Sequence, residues 1–560
     1  MSWRRMLAAG AALCVMTGAA LVAAPANAAS NTLIVDAGSV LRPVTHVGSG
    51  ALYGLSSETK PGGSLLKPLH LNRFVQPPTG STQAGGAGSI TDVDQTLIGA
   101  GAQSYIRMPD IYPDFPYRWV SWDYYASKVD TMVRGRLADK DLTSISGWEL
   151  WNEPDGTWDT AKAGPFNDAW VRIYKQVRSL DTVTPIVGPS LAQYDHDYMT
   201  SFLTNAKANG AVPDVMSWHE LLDGWTQIGA HVADYRAIEK SLGISPRPIS
   251  INEYAYTDQV DVPHNALHYI AQFERNGIRD AERAFWYEPG TLDGLFYNGQ
   301  PTGSYWLYKW YGDMAGNMLP VTPSGGLDGI ASLDSSRKIV NVVFAGDSGS
   351  NSVNVKNLGA LGSSVKVELS YTPSSGRSAN VAAPTQVSTS TYQVTNGAIT
   401  VPVSNMNDTG AYQLVITPQG GPTTATQTVY EAENATVVNG TLYSSGAASN
   451  GGYVGGLDGT GDSRADSFVD FVVNVPTAKN YSMAVRYANG GSATSTLGLA
   501  TNGSPWSSVA YPSTGGWGTF GTVTQTVNLK AGYNVIRIAK GSPGFSGGSG
   551  FAELDSITLG

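Results

Sequence analysis

The stretch SGWELWNEPDGTWD, Ser146 to Asp159, decides how the first half of the chain is interpreted. Trp148 and Trp151 are typical of a buried strand, and the apolar run stops at Glu153. A carboxylate at the mouth of such a strand is either a turn residue or a reactive group. The choice depends on whether a second carboxylate stands in a matching place.

Short apolar runs alternate with amphipathic helical patterns from about Ala29 to Gly325. This alternation predicts a parallel (β/α)8 barrel over residues 29–325. Seven of its strands are predicted at HVGSGALYGL (46–55), SYIRMPD (104–110), ISGWELWNEP (145–154), TPIVGPSL (184–191), DVMSWHEL (214–221), RPISINEY (247–254) and RAFWYEP (283–289). We expect the eighth strand between Pro109 and Asp141.

A second apolar strand ends in the same way, because Ile249 and Ile251 lead to Glu253 in RPISINEY. The active sites of such barrels lie at the carboxyl ends of the strands. Retaining glycoside hydrolysis needs two carboxylates about 5–5.5 Å apart, one as proton donor and one as nucleophile. Glu153 and Glu253 are therefore predicted to form a catalytic pair.

With WNEP on the fourth strand and a glutamate ending the seventh, the sequence resembles the large clan of retaining glycoside hydrolases with (β/α)8 barrels. SYIRMPD, expected on the second strand, and the β-rich region after the barrel look most like glycoside hydrolase family 39. That family includes β-xylosidases, α-L-iduronidases and enzymes that act on arabinose-containing side chains. The resemblance implies that Glu153 is the acid/base and Glu253 the nucleophile.

Three further residues match the pattern of this clan. The resemblance implies that Asn152 binds the hydroxyl next to the reacting carbon and that Arg107 holds the nucleophile ionised. His219 matches a histidine of the sixth strand. The simpler alternatives are a salt-bridge role for Arg107 and a core position for His219. Trp286, expected on the last strand, could stack on a sugar face or belong to the core.

The sequence departs from the family pattern at Leu221, where an aromatic residue, often tyrosine, is usual. The hydrogen bond that such a tyrosine gives to the nucleophile must come from elsewhere, from Tyr254 or Tyr256, or be absent. The sugar that the site accepts therefore stays open.

The two carboxyl groups need different electrostatic settings. An acid must be protonated near neutral pH, so we expect an apolar setting or a nearby negative charge to raise the pKa of Glu153. Trp148 and Trp151 flank it in the sequence. A nearby arginine keeps a nucleophile ionised.

Beyond the barrel the helical patterns end. Residues 326–418 alternate apolar and polar residues between Gly, Ser and Asn turns, which predicts an accessory β-sandwich. Residues 419–428 are rich in Pro, Gly and Thr and are predicted to form a linker. Residues 429–560 form a second all-β unit, predicted to be a sandwich of jelly-roll type.

This last unit resembles carbohydrate-binding modules of family 35, or the related family 6, through YEAENA at its start and ELDSITL at its end. The resemblance implies a structural Ca²⁺ held by Glu431, Glu433 and Asp555. Oxygen ligands suit Ca²⁺, and two residues that are two apart on a strand share one face. The alternative is a pair of exposed acids on an edge strand.

Sugar contacts in the module are expected from exposed aromatic and amide side chains on loops. The candidates are Tyr453, Trp517 and Asn489. Aromatic faces suit sugars because the C–H faces of sugars are apolar while the hydroxyls need polar partners.

The first residues are typical of an export signal. Arg4 and Arg5 precede an apolar stretch, and Ala26-Asn27-Ala28 is a cleavage site, so residues 1–28 are predicted to be a signal peptide and the protein to be secreted. An uncleaved anchor and a twin-arginine signal are the alternatives. The only cysteine, Cys14, lies in this segment, which excludes thiol chemistry and disulfides in the mature chain.

The net charge of −10 argues against binding to nucleic acid or to an anionic membrane. The sequence therefore predicts a secreted retaining glycosidase that needs no cofactor for catalysis. Its expected substrate is a polysaccharide containing xylose, arabinose or galactose. The alternatives are a transglycosylase with the same carboxylates and a carbohydrate-binding protein on an inactive barrel. The oligomeric state stays open.

Overall fold

The computed structural model describes residues 31–57, 60–83, 86–139, 141–222, 224–420, 428–438, 440–457, 467–475, 477–530, 532–541 and 547–560. The predicted signal peptide 1–28 and most of the predicted linker 419–428 lie outside these residues. Within the described ranges, no helix combines the length and apolar character that crossing a membrane requires.

The first part of the chain is built around a closed barrel of eight parallel strands, β3 to β10, in which β10 pairs with β3. The strands of this part are β1 (Thr32–Asp36), β2 (Arg42–Pro43), β3 (Gly50–Leu52), β4 (Arg73–Gln76), β5 (Gln103–Arg107), β6 (Ile145–Glu149), β7 (Ile186–Leu191), β8 (Val215–Glu220), β9 (Ile249–Tyr254), β10 (Asp280–Arg283), β11 (Phe296–Tyr297), β12 (Gln300–Pro301), β13 (Asn317–Leu319) and β14 (Val321–Thr322). The barrel predicted from the alternating pattern is thereby confirmed.

Helices surround the barrel and cover the outer faces of its strands. They are α1 (Gly63–Leu66), α2 (Ile90–Ala100), α3 (Trp122–Ala138), α4 (Pro154–Thr157), α5 (Thr160–Ala163), α6 (Phe166–Leu180), α7 (His196–Ala208), α8 (Ile228–Ser241), α9 (Pro263–Arg275) and α10 (Gly303–Gly312). Polar side chains cap the first turns of α3 and α7: Ser121 accepts from the Tyr124 amide at 3.1 Å, and Asp195 accepts from the Tyr198 amide at 2.7 Å.

The eighth barrel strand is not where the sequence analysis placed it. The segment between Pro109 and Asp141 contains α3, and the missing strand is β4, with the sequence RFVQ. All four of its residues are buried, so it shows no alternation that would reveal a strand. The strand that carries Arg107 is consequently the third of the barrel, not the second, while β6 and β9 remain the fourth and seventh.

A β-sandwich follows the barrel, with β15 (Asp328–Asp334), β16 (Ile339–Ala345), β17 (Gly349–Lys356), β18 (Ser364–Thr372), β19 (Thr385–Gln393), β20 (Ile399–Met406) and β21 (Ala411–Pro418). One sheet has the order β14-β1-β17-β20, and the other has the order β19-β18-β21-β16-β15-β13-β2. Strands β1, β2, β13 and β14 lie within the range 29–325 assigned to the barrel, so that boundary needs correction. A local pattern cannot show that Thr32 pairs with Ser352.

The C-terminal unit is a second two-sheet sandwich. Its strands are β22 (Thr428–Glu431), β23 (Thr436–Val438), β24 (Thr441–Ser444), β25 (Gly452–Gly455), β26 (Ser467–Val475), β27 (Lys479–Ala488), β28 (Ser495–Thr501), β29 (Ser507–Tyr511), β30 (Phe520–Leu529), β31 (Gly532–Lys540) and β32 (Glu553–Leu559). The sheets have the orders β24-β25-β32-β27-β30 and β23-β26-β31-β28-β29, and β22 pairs with β32. The first and last strands of the unit are therefore neighbours.

Candidate active site

Glu153 and Glu253 meet at the carboxyl ends of the fourth and seventh barrel strands. One carboxylate oxygen of each and one ring nitrogen of His219 all lie within 4.8 Å of one another. The Glu153 side chain is 17% exposed and that of Glu253 9%, so both reach the mouth of the barrel. This spacing is close to the about 5–5.5 Å of retaining glycosidases and shorter than the about 6.5–9.5 Å of inverting ones.

The backbone at Glu153 has the left-handed conformation, with φ 51° and ψ 52°. A side chain with a Cβ is disfavoured there by roughly 1–2 kcal/mol. The Glu153 amide donates to the Ser190 carbonyl at 2.8 Å, and the Glu153 carbonyl accepts from the Gly156 and Thr157 amides. These contacts hold the turn that directs the carboxylate into the mouth, which is where strain of this kind is usually found.

Arg107 lies buried at the end of β5 and contacts two carboxylates. Its Nη1 donates to Glu253 Oε1 at 2.6 Å, and its Nε donates to Glu149 Oε2 at 2.9 Å. Asn252 Nδ2 donates to the other Glu149 oxygen at 2.7 Å and to Ser190 Oγ at 3.1 Å. Glu149 thus ties the third, fourth and seventh strands together around the carboxylate of Glu253.

Glu149 and Asn252 were not singled out in the sequence. The signal was available, since a charged residue in the apolar run GWELW must be paired if that run is a buried strand. Asn152, which was singled out, is buried beside Glu153, and its Oδ1 has no hydrogen-bond partner. A buried amide oxygen with no partner can accept a hydrogen bond from a substrate hydroxyl.

His219 lies between the two glutamates and is fully buried. Its Nδ1 is 3.2 Å from Glu153 Oε1, and its Nε2 is 3.7 Å from Glu253 Oε1. Burial opposes the charged imidazole, but the charges of Glu253 and Glu153 outweigh burial and raise the pKa of His219. Burial likewise favours protonated Glu153, but His219 and then Arg107 outweigh it and lower the pKa of Glu153.

The expectation of a raised pKa at Glu153 is therefore wrong for the free protein. Neither flanking tryptophan provides the expected apolar setting. Trp148 donates through Nε1 to Asp181 at 3.0 Å, and the Trp151 ring packs edge-on against Trp158 with centroids 4.7 Å apart. Strand alternation turned Trp148 to the outside of the barrel, where α6 covers it.

A second polar group adjoins Arg107 on the side away from His219. The Tyr53 hydroxyl lies 3.5 Å from Arg107 Nη1 and donates a short hydrogen bond to Asp110. Tyr117 donates to the other Asp110 oxygen at 3.1 Å. Burial raises the pKa of Asp110 to about 7. None of these three residues was predicted, although Asp110 closes the quoted run SYIRMPD.

The two tyrosines proposed to compensate for Leu221 do not contact Glu253. The Tyr254 hydroxyl donates to the Gly48 carbonyl at 2.8 Å, because adjacent residues of a strand face opposite sides. Tyr256 is exposed, and its ring lies 5.3 Å from that of Trp286. Trp286 is not on the last strand but follows it, half-buried, with Nε1 bonded to the Ala255 carbonyl at 3.0 Å.

In the C-terminal unit, two of the three candidate sugar contacts are accessible. Trp517 is 52% exposed, and half-buried Tyr453 stacks on Tyr443 with ring centroids 5.4 Å apart. Asn489 is buried, and its Nδ2 donates to the carbonyls of Ala493 at 2.9 Å and Tyr511 at 2.8 Å. Assigning Asn489 to sugar binding is therefore wrong, because its amide already holds a loop together.

The three carboxylates expected to bind Ca²⁺ lie in different elements and make different contacts. Glu431 ends β22 and Glu433 lies in the 3-10 turn that follows, so the two do not share a strand face as expected. Asp555 accepts from the Ser449 amide at 2.9 Å and pairs with Arg486. Across the part of the chain that the structure describes, only Glu153, His219 and Glu253 gather three donor atoms within 4.8 Å.

Comparison with known proteins separates the same two parts of the chain. Residues 431–559 match the family described as carbohydrate binding module (family 6). Over 74% of this chain the sequence is 26% identical to a 3-O-beta-L-arabinopyranosyl-alpha-L-arabinofuranosidase of Bifidobacterium pseudocatenulatum. The chain spans about half of that protein, since the match covers 50% of its length.

Two solved structures align with 69% of this chain and 99% of their own chains. A family 51 alpha-L-arabinofuranosidase from Bifidobacterium longum shares 10% identity with a TM-score of 0.50, which shows a common fold. N2152 from Neocallimastix frontalis shares 34% identity with a TM-score of 0.66. Over the aligned part, which spans nearly all of N2152, the chain therefore belongs to the same family as that protein.

Proposed function

We propose that the protein is a secreted retaining glycoside hydrolase that cleaves α-L-arabinofuranosidic bonds in arabinose-containing polysaccharides. The observation that carries this proposal is the pair of carboxylates, Glu153 and Glu253, with oxygens within 4.8 Å of each other and Arg107 2.6 Å from Glu253. Double displacement requires one carboxylate as nucleophile, here held by Arg107, beside a second that can exchange a proton.

In the first step Glu253 attacks the anomeric carbon, and Glu153 gives its proton to the departing glycosidic oxygen. A glycosyl ester forms on Glu253 and the alcohol leaves. In the second step Glu153 takes a proton from water, whose oxygen attacks the anomeric carbon and releases Glu253. The stereochemistry is inverted twice, so the product keeps the configuration of the substrate.

The proton that Glu153 donates is shared with His219. In the free protein this proton is bound to the imidazole rather than to the carboxylate, since the pKa of His219 is raised and that of Glu153 is lowered. Movement of one proton across the 3.2 Å between them gives the acid form of Glu153. His219 thereby serves as a positioning group and a proton store for the acid.

Arabinofuranose is favoured as the sugar by the names of two curated relatives, both of which are alpha-L-arabinofuranosidases whose names specify a 3-O-substituent. The substituent differs between them, β-L-arabinopyranosyl in one and α-D-galactosyl in the other. We infer that a substituted arabinofuranosyl unit is the group released here as well. The finer resemblance to glycoside hydrolase family 39 stays a prediction, as does export by the segment 1–28.

The C-terminal unit would keep the enzyme on its polymer, with Trp517 and Tyr453 as sugar contacts. Attachment to the substrate raises the local concentration of cleavable bonds. We propose Ca²⁺ as the structural ion of this unit. Glu431 Oε2 is buried without a hydrogen-bond partner, and Ser449 bridges Glu431 to Asp555, so these two carboxylates fit a cation that joins the first strand to the last.

The proposal is tested by incubating the full chain with 4-nitrophenyl α-L-arabinofuranoside and with 3-O-substituted arabinofuranosides, and by following the anomeric proton by NMR. The α-anomer should appear first. Replacing Glu253 by Ala should abolish turnover, and added azide should restore it with an inverted glycosyl azide. Replacing Glu153 by Ala should spare substrates with good leaving groups, and azide should give a retained product.

Four outcomes contradict the proposal. An inverted first product excludes double displacement. Full activity of the Glu253 variant excludes it as the nucleophile. Binding of arabinose-containing polymers without release of any sugar identifies the chain as a carbohydrate-binding protein, and transfer of sugar to other sugars in place of water identifies a transglycosylase.

A further inference from the structure

Tyr53 occupies a strained position at the catalytic mouth. It follows β3, the first barrel strand, and its φ is 47°, in the region that disfavours residues with a Cβ. Its amide donates to the Val75 carbonyl at 3.1 Å, which fixes the backbone against β4. A bulky aromatic residue stays in this conformation only where surrounding contacts hold it, and the Tyr53 side chain makes such contacts.

The Tyr53 side chain contacts Arg107 in two ways. Its hydroxyl oxygen faces Arg107 Nη1 at 3.5 Å, the same nitrogen that donates to Glu253 Oε1 at 2.6 Å. The guanidinium carbon also lies 5.6 Å from the centre of the Tyr53 ring. Tyr53 is thus one contact away from the carboxylate that attacks the sugar.

The phenol is held in that place by Asp110. It donates its proton to one Asp110 oxygen, so its own lone pairs are turned toward Arg107. The other Asp110 oxygen accepts from Tyr117 at 3.1 Å, and the Asp110 carbonyl accepts from Ser81 Oγ at 2.6 Å. Asp110 is 1% exposed, so the Tyr53–Asp110 pair is sheltered from water.

We propose that Tyr53, oriented by Asp110, is a positioning residue for the nucleophile and acts through Arg107. This inference rests on the proposed function of the same site. Arg107 is also held by Glu149, which accepts a hydrogen bond from its Nε. That contact does not determine whether Nη1 donates to Glu253 or to another acceptor. The lone pair of Tyr53 receives the second N–H of Nη1, so that the first stays directed at Glu253.

The charged and titratable groups that face this pair come from several strands. They are Glu149, Glu253 and Arg107 on the barrel strands, Asp110 and Tyr117 on the loop after β5, and His219 across the mouth. A change at Tyr53 should therefore appear in kcat, because Arg107 positions the carboxylate that attacks the sugar.

The test replaces Tyr53 by Phe in the full chain and measures kcat and KM on an aryl α-L-arabinofuranoside. We expect kcat to fall about 10- to 100-fold, the range seen when a residue that orients a metal ligand is replaced. KM should change little, because the Tyr53 hydroxyl acts through Arg107.

Two other variants serve as controls. Tyr254→Phe also removes a buried phenol hydroxyl, bonded to the Gly48 carbonyl and to Tyr308, next to Glu253 in sequence but on the opposite face of the strand. It should lower the unfolding temperature about as much as Tyr53→Phe and leave kcat as in the wild type. Tyr117→Phe removes a phenol from Asp110 without touching Arg107 and should lose less activity than Tyr53→Phe.

Two outcomes overturn the inference alone, and a third overturns the proposed function as well. An unreduced kcat in Tyr53→Phe overturns the inference and leaves the proposed function intact. Equal losses in Tyr53→Phe and Tyr117→Phe also overturn it, because the effect then belongs to the charge of Asp110. If the wild type releases no sugar from any arabinofuranoside, the proposed function fails, and the inference fails with it.

Discussion

At the scale of single residues, the proposed mechanism depends on a proton that moves between Glu153 and His219. The position of Glu153 at a strand end was readable from the sequence, because the apolar run stops there. Its ionisation was not, since that depends on a histidine 3.2 Å away that comes from a strand two places further around the barrel. Residue type suggests the role of Glu153, and packing determines the direction in which its pKa is shifted.

Replacing His219 by Gln should move the basic limb of kcat/KM to higher pH. A positive imidazole favours ionised Glu153 and lowers its pKa, so its loss raises that pKa and keeps the acid protonated over a wider range. The maximal rate should fall because the contact with Glu153 is lost. Measurement of the pH profile of the variant checks both expectations.

His231→Gln provides the control for this substitution. His231 lies on α8 and contacts Glu220 at 2.9 Å, away from the catalytic pair. Its variant should keep the basic limb of the wild type. A limb that stays in place in His219→Gln would show that His219 is not what sets the ionisation of Glu153.

At the scale of elements, strand β6 fits the barrel only because Gly147 has no side chain. A Cβ at this position would lie 2.5 Å from the Tyr105 ring and 2.9 Å from Val187 inside the barrel. Gly147→Ala should therefore destabilise the barrel by about 1–3 kcal/mol through overpacking. Urea unfolding followed by tryptophan fluorescence measures the change.

Gly99 is the matched position on the outside. It lies in α2, where an added Cβ meets nothing within 4 Å. Gly99→Ala should stabilise the protein by about 0.5–1 kcal/mol, because alanine is the better helix former. If both variants unfold at the same urea concentration, the tight packing inferred at Gly147 is wrong.

The elements also show what a sequence pattern can and cannot reveal. Strands with a clear apolar run, such as β9, were predicted close to their observed bounds. β4 was missed because its four buried residues carry no alternation. The apolar run around Glu149 implied a paired charge, but its partners, Arg107 and Asn252, come from strands that are distant in sequence and adjacent only in the closed barrel.

At the scale of the whole molecule, the C-terminal unit should depend on a cation. Burial, and after it the nearby Asp555, raises the pKa of Glu431 from 4.5 to about 7. A carboxyl with a raised pKa in the folded state loses stabilisation as pH rises through that interval. Without Ca²⁺ the unit should thus become less stable between about pH 4.5 and 7, and bound Ca²⁺ should offset the loss.

EDTA should lower the unfolding temperature of the C-terminal transition in the full chain, and more at pH 8 than at pH 5. Scanning calorimetry measures this, with added Ca²⁺ restoring the transition and the barrel transition as internal reference. Glu431→Gln should make the unit insensitive to the chelator. Equal unfolding temperatures with and without EDTA at pH 8 would remove Ca²⁺ from the proposal.

The pairing of β1 with β17 has a consequence for biosynthesis. Thr32–Asp36 leaves the ribosome among the first residues that the structure describes, yet the strands it pairs with begin only at Val321 and Gly349. At about 5–20 residues per second, roughly 15 to 60 s pass before the first of these partners is made. The nascent chain must keep an apolar strand unpaired for that time, so chaperones that cover early segments should matter more for this protein than for a barrel whose first strand finds its neighbour at once.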